Sequence, residues 1–175
     1  FSQLHTIHII HSLKFPKNIM LKSLEELKLL REAGLEIVYL GLESGSDEIL
    51  RNINKGADSE EIVNAGLKIK EAGILLSVTL ISGLGGAKLW KEHAIESAKA
   101  ISKMKPDYLG LLTLMIEPGT QLYNDVENGR FQLLTPQQVA LETRELLKNI
   151  DAEGCVFRSN HASNYLSLKG TLNKD

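Results

Sequence analysis

The chain contains a single cysteine, Cys155, among 175 residues. One thiol excludes an internal disulfide, and it excludes a zinc site or iron–sulfur cluster held only by thiolates of this chain. Two interpretations of Cys155 stay open, a small buried hydrophobic side chain, which is the commoner case, and a nucleophile. A single cysteine also fits a cytoplasmic chain, and that is the localisation we expect.

Aromatic residues and net charge are also scarce. Aromatic side chains make up 5% of the chain and the net charge is −2, which argues against a nucleic-acid partner and gives no attraction to anionic membranes. No apolar run approaches the roughly 20 residues that span a bilayer, and no secretory signal is visible. We therefore expect a small-molecule or otherwise unknown substrate, with no nucleic-acid or membrane partner. The chain starts at Phe1 without a Met, so we expect a trimmed product or a piece of a longer chain.

The composition that remains is globular, with 43% hydrophobic and 24% charged residues, and the length predicts one domain. We assign residues 1–163 to that domain and expect residues 164–175 to form a loose tail. Apolar, β-branched runs alternate with stretches of helical periodicity. The runs predict strands at residues 5–10, 37–42, 75–81, 108–116 and 155–158.

Helix boundaries support repeated βα units. Ser23 stands three residues before Glu26, which predicts a capping box. Further helices are predicted to start at Asp58 and Thr135, the latter with Pro136 at the first helical position, and another is predicted at residues 91–103. The segment REAGL at residue 31 recurs as KEAGI at residue 70, an offset of 70 − 31 = 39 residues. These units predict a parallel α/β sheet. A closed (β/α) barrel needs about eight strands, so an open sheet and a partial barrel both remain possible.

Four glycine-rich or polar turns follow predicted strands, at residues 41–46, 82–86, 117–120 and 158–164. The carboxyl ends of parallel strands share one edge of a sheet, and ligands bind along that edge. We therefore expect the four turns to form one site. If strands at one side of the sheet were missing, the exposed edge strand would also favour self-association of the chain.

Several side chains near these turns have a functional and a structural interpretation. Glu43 is able to accept hydrogen bonds from vicinal hydroxyls, or it is a solvated acid beside a helix cap. Lys55 is able to meet a carboxylate or phosphate, or it lies on the surface. The SGLGG turn at residues 82–86 offers backbone N–H groups to an anion, or it is a flexible turn.

The histidines fall into two groups. His5, His8 and His11 have a spacing that places His8 on the opposite face of a strand, which is poor geometry for one metal ion. Asn160 and His161 lie in a polar turn after a short strand. His161 is a candidate substrate contact, with a hydrogen-bonded loop as the alternative.

The order of these motifs resembles the radical S-adenosylmethionine (radical SAM) superfamily, in the group that includes methylthiotransferases and oxygen-independent coproporphyrinogen oxidases. GLESGSDEIL at residue 41 and INKG at residue 53 resemble its fourth-strand region. VTLISGLGG at residue 78 and EPGTQLY at residue 117 are similar to its fifth-strand and sixth-strand turns. The ending FRSNHASNY at residue 157 resembles members described only as radical SAM proteins or iron–sulfur oxidoreductases.

The resemblance implies a partial (β/α) barrel and an oxidoreductase-like enzyme. Its cofactors would be SAM and a four-iron four-sulfur cluster, which together generate a 5′-deoxyadenosyl radical that abstracts a substrate hydrogen. Carried over by position, Glu43 would bind the SAM ribose and Lys55 the methionyl carboxylate. The full set of cofactor-binding positions that it implies is Glu43, Ser44, Lys55, Thr79, Ile81, Gly83, Met115 and Glu117, while Asn160 and His161 are substrate candidates.

The chain departs from the family pattern in two places. It lacks the CxxxCxxC motif that holds the cluster, and Ala87 stands where relatives often carry Glu. We therefore expect a fragment without the first strands of the barrel, which holds no cluster and is inactive alone. Two alternatives stay open, a phosphate-binding α/β barrel aldolase or isomerase and a non-catalytic interaction module.

Overall fold

A computed structural model describes residues 11–12 and 16–174, which form a sheet with helices on one face. The strands are β1 (His11–Ser12), β2 (Ile37–Glu43), β3 (Leu75–Ser82), β4 (Tyr108–Thr113), β5 (Val156–Arg158) and β6 (Lys169–Thr171). The helices are α1 (Pro16–Met20), α2 (Leu24–Glu32), α3 (Asp47–Asn52), α4 (Ser59–Glu71), α5 (Gly86–Met104), α6 (Gln121–Glu127) and α7 (Pro136–Asn149).

The six strands lie in the sheet in chain order. Strands β1 to β5 pair in parallel, and β6 pairs antiparallel with β5. Parallel neighbours require crossover connections, which the intervening helices supply. The predicted parallel α/β sheet is therefore confirmed, and the carboxyl ends of β2 to β5 share one edge as expected.

The helix boundaries follow from local hydrogen bonds. The predicted capping box at Ser23 forms, and the predicted helix starts at Asp58 and Thr135 are confirmed and also carry capping boxes. The repeated helix stops at Gly34 and Gly73 have φ of 106° and 76°, a backbone conformation that glycine adopts easily. Each stop turns the chain into the next strand, which is why the 39-residue repeat marks a βα unit.

The two faces of the sheet have different environments. Val38, Leu40 and Leu42 of β2 are buried, as are Leu76 and the other alternate residues of β3 and β4. This outer face packs against helices, with α4 and α7 contacting β3. The inner face is partly exposed, since Tyr39 of β2 and Tyr108 of β4 are exposed. The core therefore lies between the outer face and the helices.

Several predicted boundaries were wrong. The strand predicted at residues 108–116 ends at Thr113, since β3 stops at Ser82 and the last bond across this pair runs from Leu114 N–H to the Ser82 carbonyl. The helix predicted at residues 91–103 is longer and begins at Gly86. The strand predicted at residues 5–10 lies outside the described residues.

The segment after Asn164 is not a loose tail over its described length. Strand β6 pairs with β5, and Asn164 itself is tied to β4, because its amide nitrogen donates to the Leu111 carbonyl at 2.7 Å. Hydrophobic periodicity gave no signal there, because all three residues of β6 are exposed. The assignment of residues 1–163 and 164–175 to a domain and a tail stays a prediction.

Among the described residues, no helix combines the length and apolar character needed to cross a membrane.

Candidate functional site

Glu43 lies at the carboxyl end of β2 in an unusual backbone conformation. Its φ is 61°, and the Ser44 N–H donates to the Leu42 carbonyl at 2.7 Å, which closes a three-residue turn around it. Such turns with positive φ are rare and strained for a residue with a side chain. Strain of this kind accumulates at functional sites, so the backbone itself singles out Glu43.

Lys55 returns to Glu43 from the end of α3. Asn54 adopts φ of 54° after that helix, and the Lys55 N–H donates to the Leu50 carbonyl at 2.9 Å. This reversal brings Lys55 Nζ to 3.0 Å from Glu43 Oε1, with 12% of the lysine side chain and 22% of the glutamate side chain exposed. The carboxylate that Lys55 meets is thus a neighbouring one within the chain.

Gly41 leaves the space that this ion pair occupies. A Cβ at Gly41 would lie 2.3 Å from Glu43 Oε1 and 3.1 Å from Lys55 Nζ. The Glu43 side chain therefore folds back over the backbone of Gly41 on the inner face of β2. Any larger residue at position 41 would displace the carboxylate from Lys55.

The glycine turn after β3 is held by a buried carboxylate on α7. Glu142 Oε1 accepts hydrogen bonds from the Ser82 hydroxyl at 2.6 Å and from the Gly83 N–H at 2.8 Å. Burial raises the pKa of Glu142 to about 7, while the bonds from Ser82 and Gly83 oppose that shift. Gly83 adopts φ of 90°, so a side chain here would be strained.

The Ser44 side chain lies on the helix side of the turn that follows β2, and not on the side of Glu43. The side chain is fully buried, its hydroxyl lies 2.8 Å from His93 Nδ1, and it accepts a hydrogen bond from the Ser46 N–H at 3.1 Å. Burial lowers the pKa of His93 to about 4 against the weaker effect of a hydrogen bond with the Ile81 backbone, so the ring is neutral at pH 7. Ser46 caps α3 by accepting a hydrogen bond from the Ile49 N–H. Ser44 therefore supports the turn from inside.

The other predicted cofactor positions lie near the same edge but are not joined by hydrogen bonds to Glu43. Thr79 pairs with Gly41 in the register of β2 and β3, and Ile81 pairs with Leu112 of β4. Both Thr79 and Ile81 are half-buried. Met115 is 63% exposed, and Glu117 is also exposed in the segment after β4.

The two substrate candidates lie after β5. Asn160 and His161 are exposed, and both line a cleft of about 440 Å³ on the inner face of the sheet. His161 Nδ1 is 2.8 Å from the Ser163 hydroxyl, and that hydroxyl accepts a hydrogen bond from the Thr113 N–H at 3.1 Å. The loop after β5 is thus fastened to the end of β4. The cleft is also lined by Tyr39, Ser77, Tyr108, Gly110 and Arg158.

Sequence reasoning missed the support provided by His93 and Glu142. Each lies on the buried stripe of its helix, since Ser97 and Ile101 follow His93 and Leu146 follows Glu142 at four-residue spacing. A charged or imidazole side chain at a core position is unusual unless it is hydrogen-bonded. A polar residue within the apolar stripe of a predicted helix was therefore the feature that could have identified His93 and Glu142 from the sequence.

Cys155 is buried, and burial raises the pKa of its thiol to about 11, with Asp107 adding to the shift. The interpretation as a small hydrophobic residue is therefore favoured over a nucleophile. Across residues 11–12 and 16–174, no three His, Cys, Asp or Glu side chains are grouped as a metal site. His5 and His8 lie outside the described residues, and so does the side chain of His11.

Comparison with known sequences gives a family match. A profile of the radical SAM superfamily matches residues 5–98, which is more than half of the chain. The chain is 28% identical over 134 residues to the heme chaperone HemW of Bacillus subtilis, covering 75% of this chain and 35% of that protein. It is 26% identical over 133 residues to the tRNA uridine(34) acetyltransferase of Methanocaldococcus infernus, covering 72% and 24%. The chain thus spans about a third of these relatives or less.

Solved structures share the fold. Elp3 of Methanocaldococcus infernus, with an N-terminal deletion, matches with a TM-score of 0.64 and 22% identity over 80% of this chain and 33% of that one. Coproporphyrinogen III oxidase (HemN) of Escherichia coli matches with a TM-score of 0.56 and 22% identity over 74% and 30%. The second is described as a radical SAM enzyme. These likenesses confirm an α/β fold of the partial-barrel type.

Proposed function

The chain belongs to the radical SAM superfamily, and from that premise we propose that the edge formed by β2, β3 and β4 binds the adenosyl part of SAM. Full-length members of this superfamily use SAM and a four-iron four-sulfur cluster. When bound, these cofactors supply radical chemistry by reductive cleavage of SAM, and the substrate of the complete protein is unknown. The observation that carries the proposal is the strained Glu43, whose carboxylate lies over Gly41 beside Lys55.

The Glu43 carboxylate suits a sugar with two adjacent hydroxyls. Oε1 accepts one hydrogen bond from Lys55, and an ionised carboxylate has further lone pairs on both oxygens. Lys55 holds the carboxylate in place through the ion pair between Nζ and Oε1. The lysine ammonium also has three N–H donors, so donors remain for a ligand carboxylate. Glu43 and Lys55 therefore have the hydrogen-bonding groups that a ribose and a methionyl carboxylate would need.

Thr79, Ile81, Gly83, Met115 and Glu117 complete the proposed adenosyl site. Thr79 is the register partner of Gly41 in the neighbouring strand, and from there it would approach the ribose. Ile81 offers apolar area two residues further along the same face. The open Gly83 turn permits close approach of a ligand to the backbone. In this proposal Ser44 acts from behind, since its hydroxyl is bonded to His93.

Asn160 and His161 are proposed substrate contacts. They share the inner-face cleft with Tyr39, Tyr108 and Arg158, and that cleft runs across the same strands that carry the proposed adenosyl site at their carboxyl ends. The two alternative functions are less well supported. An aldolase or isomerase needs a free catalytic lysine or acid, whereas Glu43 and Lys55 are paired with each other. The family match likewise does not favour a non-catalytic interaction module.

Titration calorimetry of SAM on the complete, cluster-loaded protein under anaerobic conditions tests the proposal. Glu43→Ala is expected to weaken SAM binding by about tenfold or more, because it removes charge-assisted hydrogen bonds of about 1.5–3 kcal/mol each. Iron content should stay unchanged. Glu60→Ala is the matched control, since Glu60 is an exposed acid in the first turn of α4. Unchanged affinity in Glu43→Ala would remove Glu43 from the site.

A further inference from the structure

The turns after β2 and β3 are both fastened from the helix side of the sheet. Three side chains of α5 reach the β2 turn: His93 contacts Ser44, the Ser97 hydroxyl accepts the Gly45 N–H at 2.9 Å, and Glu92 Oε1 accepts the Ser46 hydroxyl at 2.6 Å. One side chain of α7 reaches the β3 turn, since Glu142 holds both Ser82 and Gly83. Neither turn depends on its own loop alone.

The two sets of contacts meet inside the protein. His93 Nε2 lies 3.9 Å from Glu142 Oε1, and both side chains are 3% exposed. Glu142 in turn holds Ser82, the last residue of β3, through its hydroxyl. The imidazole therefore touches the end of β2 through Ser44 and lies beside the carboxylate that holds the end of β3. A displacement of one turn would therefore shift the other turn through the contact between His93 and Glu142.

Burial of the Glu142 carboxyl group in the core is unfavourable in free energy. Its second oxygen, Oε2, is buried without a hydrogen-bond partner among the described residues. Burying a carboxyl group that is only half hydrogen-bonded costs free energy, and an apolar side chain of similar size often serves a core equally well or better. What an apolar residue would not supply is an acceptor for the Gly83 N–H. The benefit of Glu142 therefore lies in the geometry of the turn.

We propose that Glu142 and His93 are positioning residues, which fix the Gly83 turn and the Glu43 turn relative to each other so that both face the ligand preformed. The proposal rests on the proposed function of this edge as a SAM site. Neither side chain reaches the inner face, so neither touches the ligand. Their effect on affinity arises because a preformed site does not have to be ordered during binding.

The test compares Glu142→Leu, Glu142→Asp and Glu142→Gln in the complete, cluster-loaded protein. Leu removes the acceptor and Asp withdraws it by about 1.5 Å, one carbon–carbon bond. We expect both to weaken SAM binding by about tenfold, as measured by titration calorimetry well below the unfolding temperature. Gln keeps an acceptor oxygen at the same reach, so it should stay within about threefold of the wild type.

Thr143→Val is the matched control on the same helix. Thr143 is also buried, but its hydroxyl bonds only to the Val139 carbonyl of its own helix. This variant should lose stability without losing SAM affinity. If Glu142→Asp or Glu142→Leu binds SAM as tightly as the wild type, or Thr143→Val weakens binding as much, the positioning role is refuted. Rescue by Gln is a result that general destabilisation does not produce.

Hydrogen exchange separates this inference from the proposed function. In the SAM-free protein, peptides that contain Gly83 should exchange at least about tenfold faster in Glu142→Leu and Glu142→Asp than in the wild type, because the amide loses its acceptor. His93→Leu should do the same for the amides at residues 44–46. If the wild type does not bind SAM, the proposed function fails, and unchanged exchange in these variants independently refutes the positioning role.

Discussion

Gly41→Ala separates the ligand site from the stability of the fold. The new Cβ would lie 2.3 Å from Glu43 Oε1, which is too close, so the carboxylate must move. It is the end of a flexible side chain and is able to move at little cost. The φ of Gly41 is not in the positive region, so alanine introduces no backbone strain. We therefore expect a folded protein with a misplaced Glu43.

The magnitudes differ for the two properties. Breaking the partly exposed ion pair with Lys55 costs about 0–1 kcal/mol, and alanine in a strand recovers about 0.5–1 kcal/mol relative to glycine. Stability should thus change by less than about 1 kcal/mol. A misplaced carboxylate loses a charge-assisted hydrogen bond to the ligand, worth about 1.5–3 kcal/mol, which corresponds to about 10- to 150-fold in affinity.

Thermal unfolding and SAM titration of the complete, cluster-loaded protein give the two measurements. Gly170→Ala is the control, because Gly170 also lies in a strand without positive φ and has no atom within 4 Å of a built Cβ. It should leave SAM affinity unchanged and raise stability by no more than the same gain of about 0.5–1 kcal/mol. SAM affinity of Gly41→Ala equal to the wild type would refute the reasoning, as would a loss of stability of several kcal/mol, which would mean that the backbone and not the carboxylate responds.

Three further outcomes are expected. Between pH 4.5 and 6.5, the stability of Glu142→Gln should rise with pH, because the pKa of the remaining His93 is lowered to about 4 and the unfolded state binds more protons. The stability of His93→Gln should fall with pH over the same range, because the pKa of the remaining Glu142 is raised to about 7 and the folded state binds more protons. Denaturant titrations in which the two variants show the same change of stability with pH would contradict this. Cys155 should react with a thiol reagent at pH 8 only as fast as the protein unfolds, since its pKa is raised to about 11, and immediate labelling of the folded chain would be inconsistent with its burial. Anaerobic reconstitution of this chain alone with iron and sulfide should give no stoichiometric cluster, because one thiol replaces the usual three; visible absorbance and bound iron at four per chain would overturn that expectation.

The parallel sheet was predictable because its signals are local. Apolar runs gave β2 and β3 to within one residue, and the polar residues Ser23, Asp58 and Thr135 gave the starts of three helices. Strand β6 was missed since its three exposed residues carry no periodicity and it is specified only by pairing with β5. The end of β4 depends on where β3 turns away, which is not encoded in residues 108–116.

The candidate site was predictable in its positions and less so in its contacts. The order of turns identified Glu43, Lys55 and Gly83 as residues near one edge. That Lys55 pairs with Glu43 itself depends on Asn54 adopting φ of 54°, and that Ser44 is buried depends on the approach of α5. His93 lies 49 positions from its partner Ser44, and Glu142 lies 60 and 59 positions from Ser82 and Gly83. Local sequence therefore shows only that each is a polar residue within the apolar stripe of its helix.

The alternation along the strands has a consequence for how this protein is able to change. Val38, Leu40 and Leu76 stabilise the molecule, while Tyr39 and Thr79, on the opposite side of the same strands, contribute little to the core. Substitutions on the inner side therefore leave folding largely intact. Under the proposed function, a lineage is free to change inner-face positions such as Tyr39 while the scaffold stays constant, and the tolerance ends at the proposed adenosyl site, where Gly41, Glu43 and Thr79 must keep their arrangement.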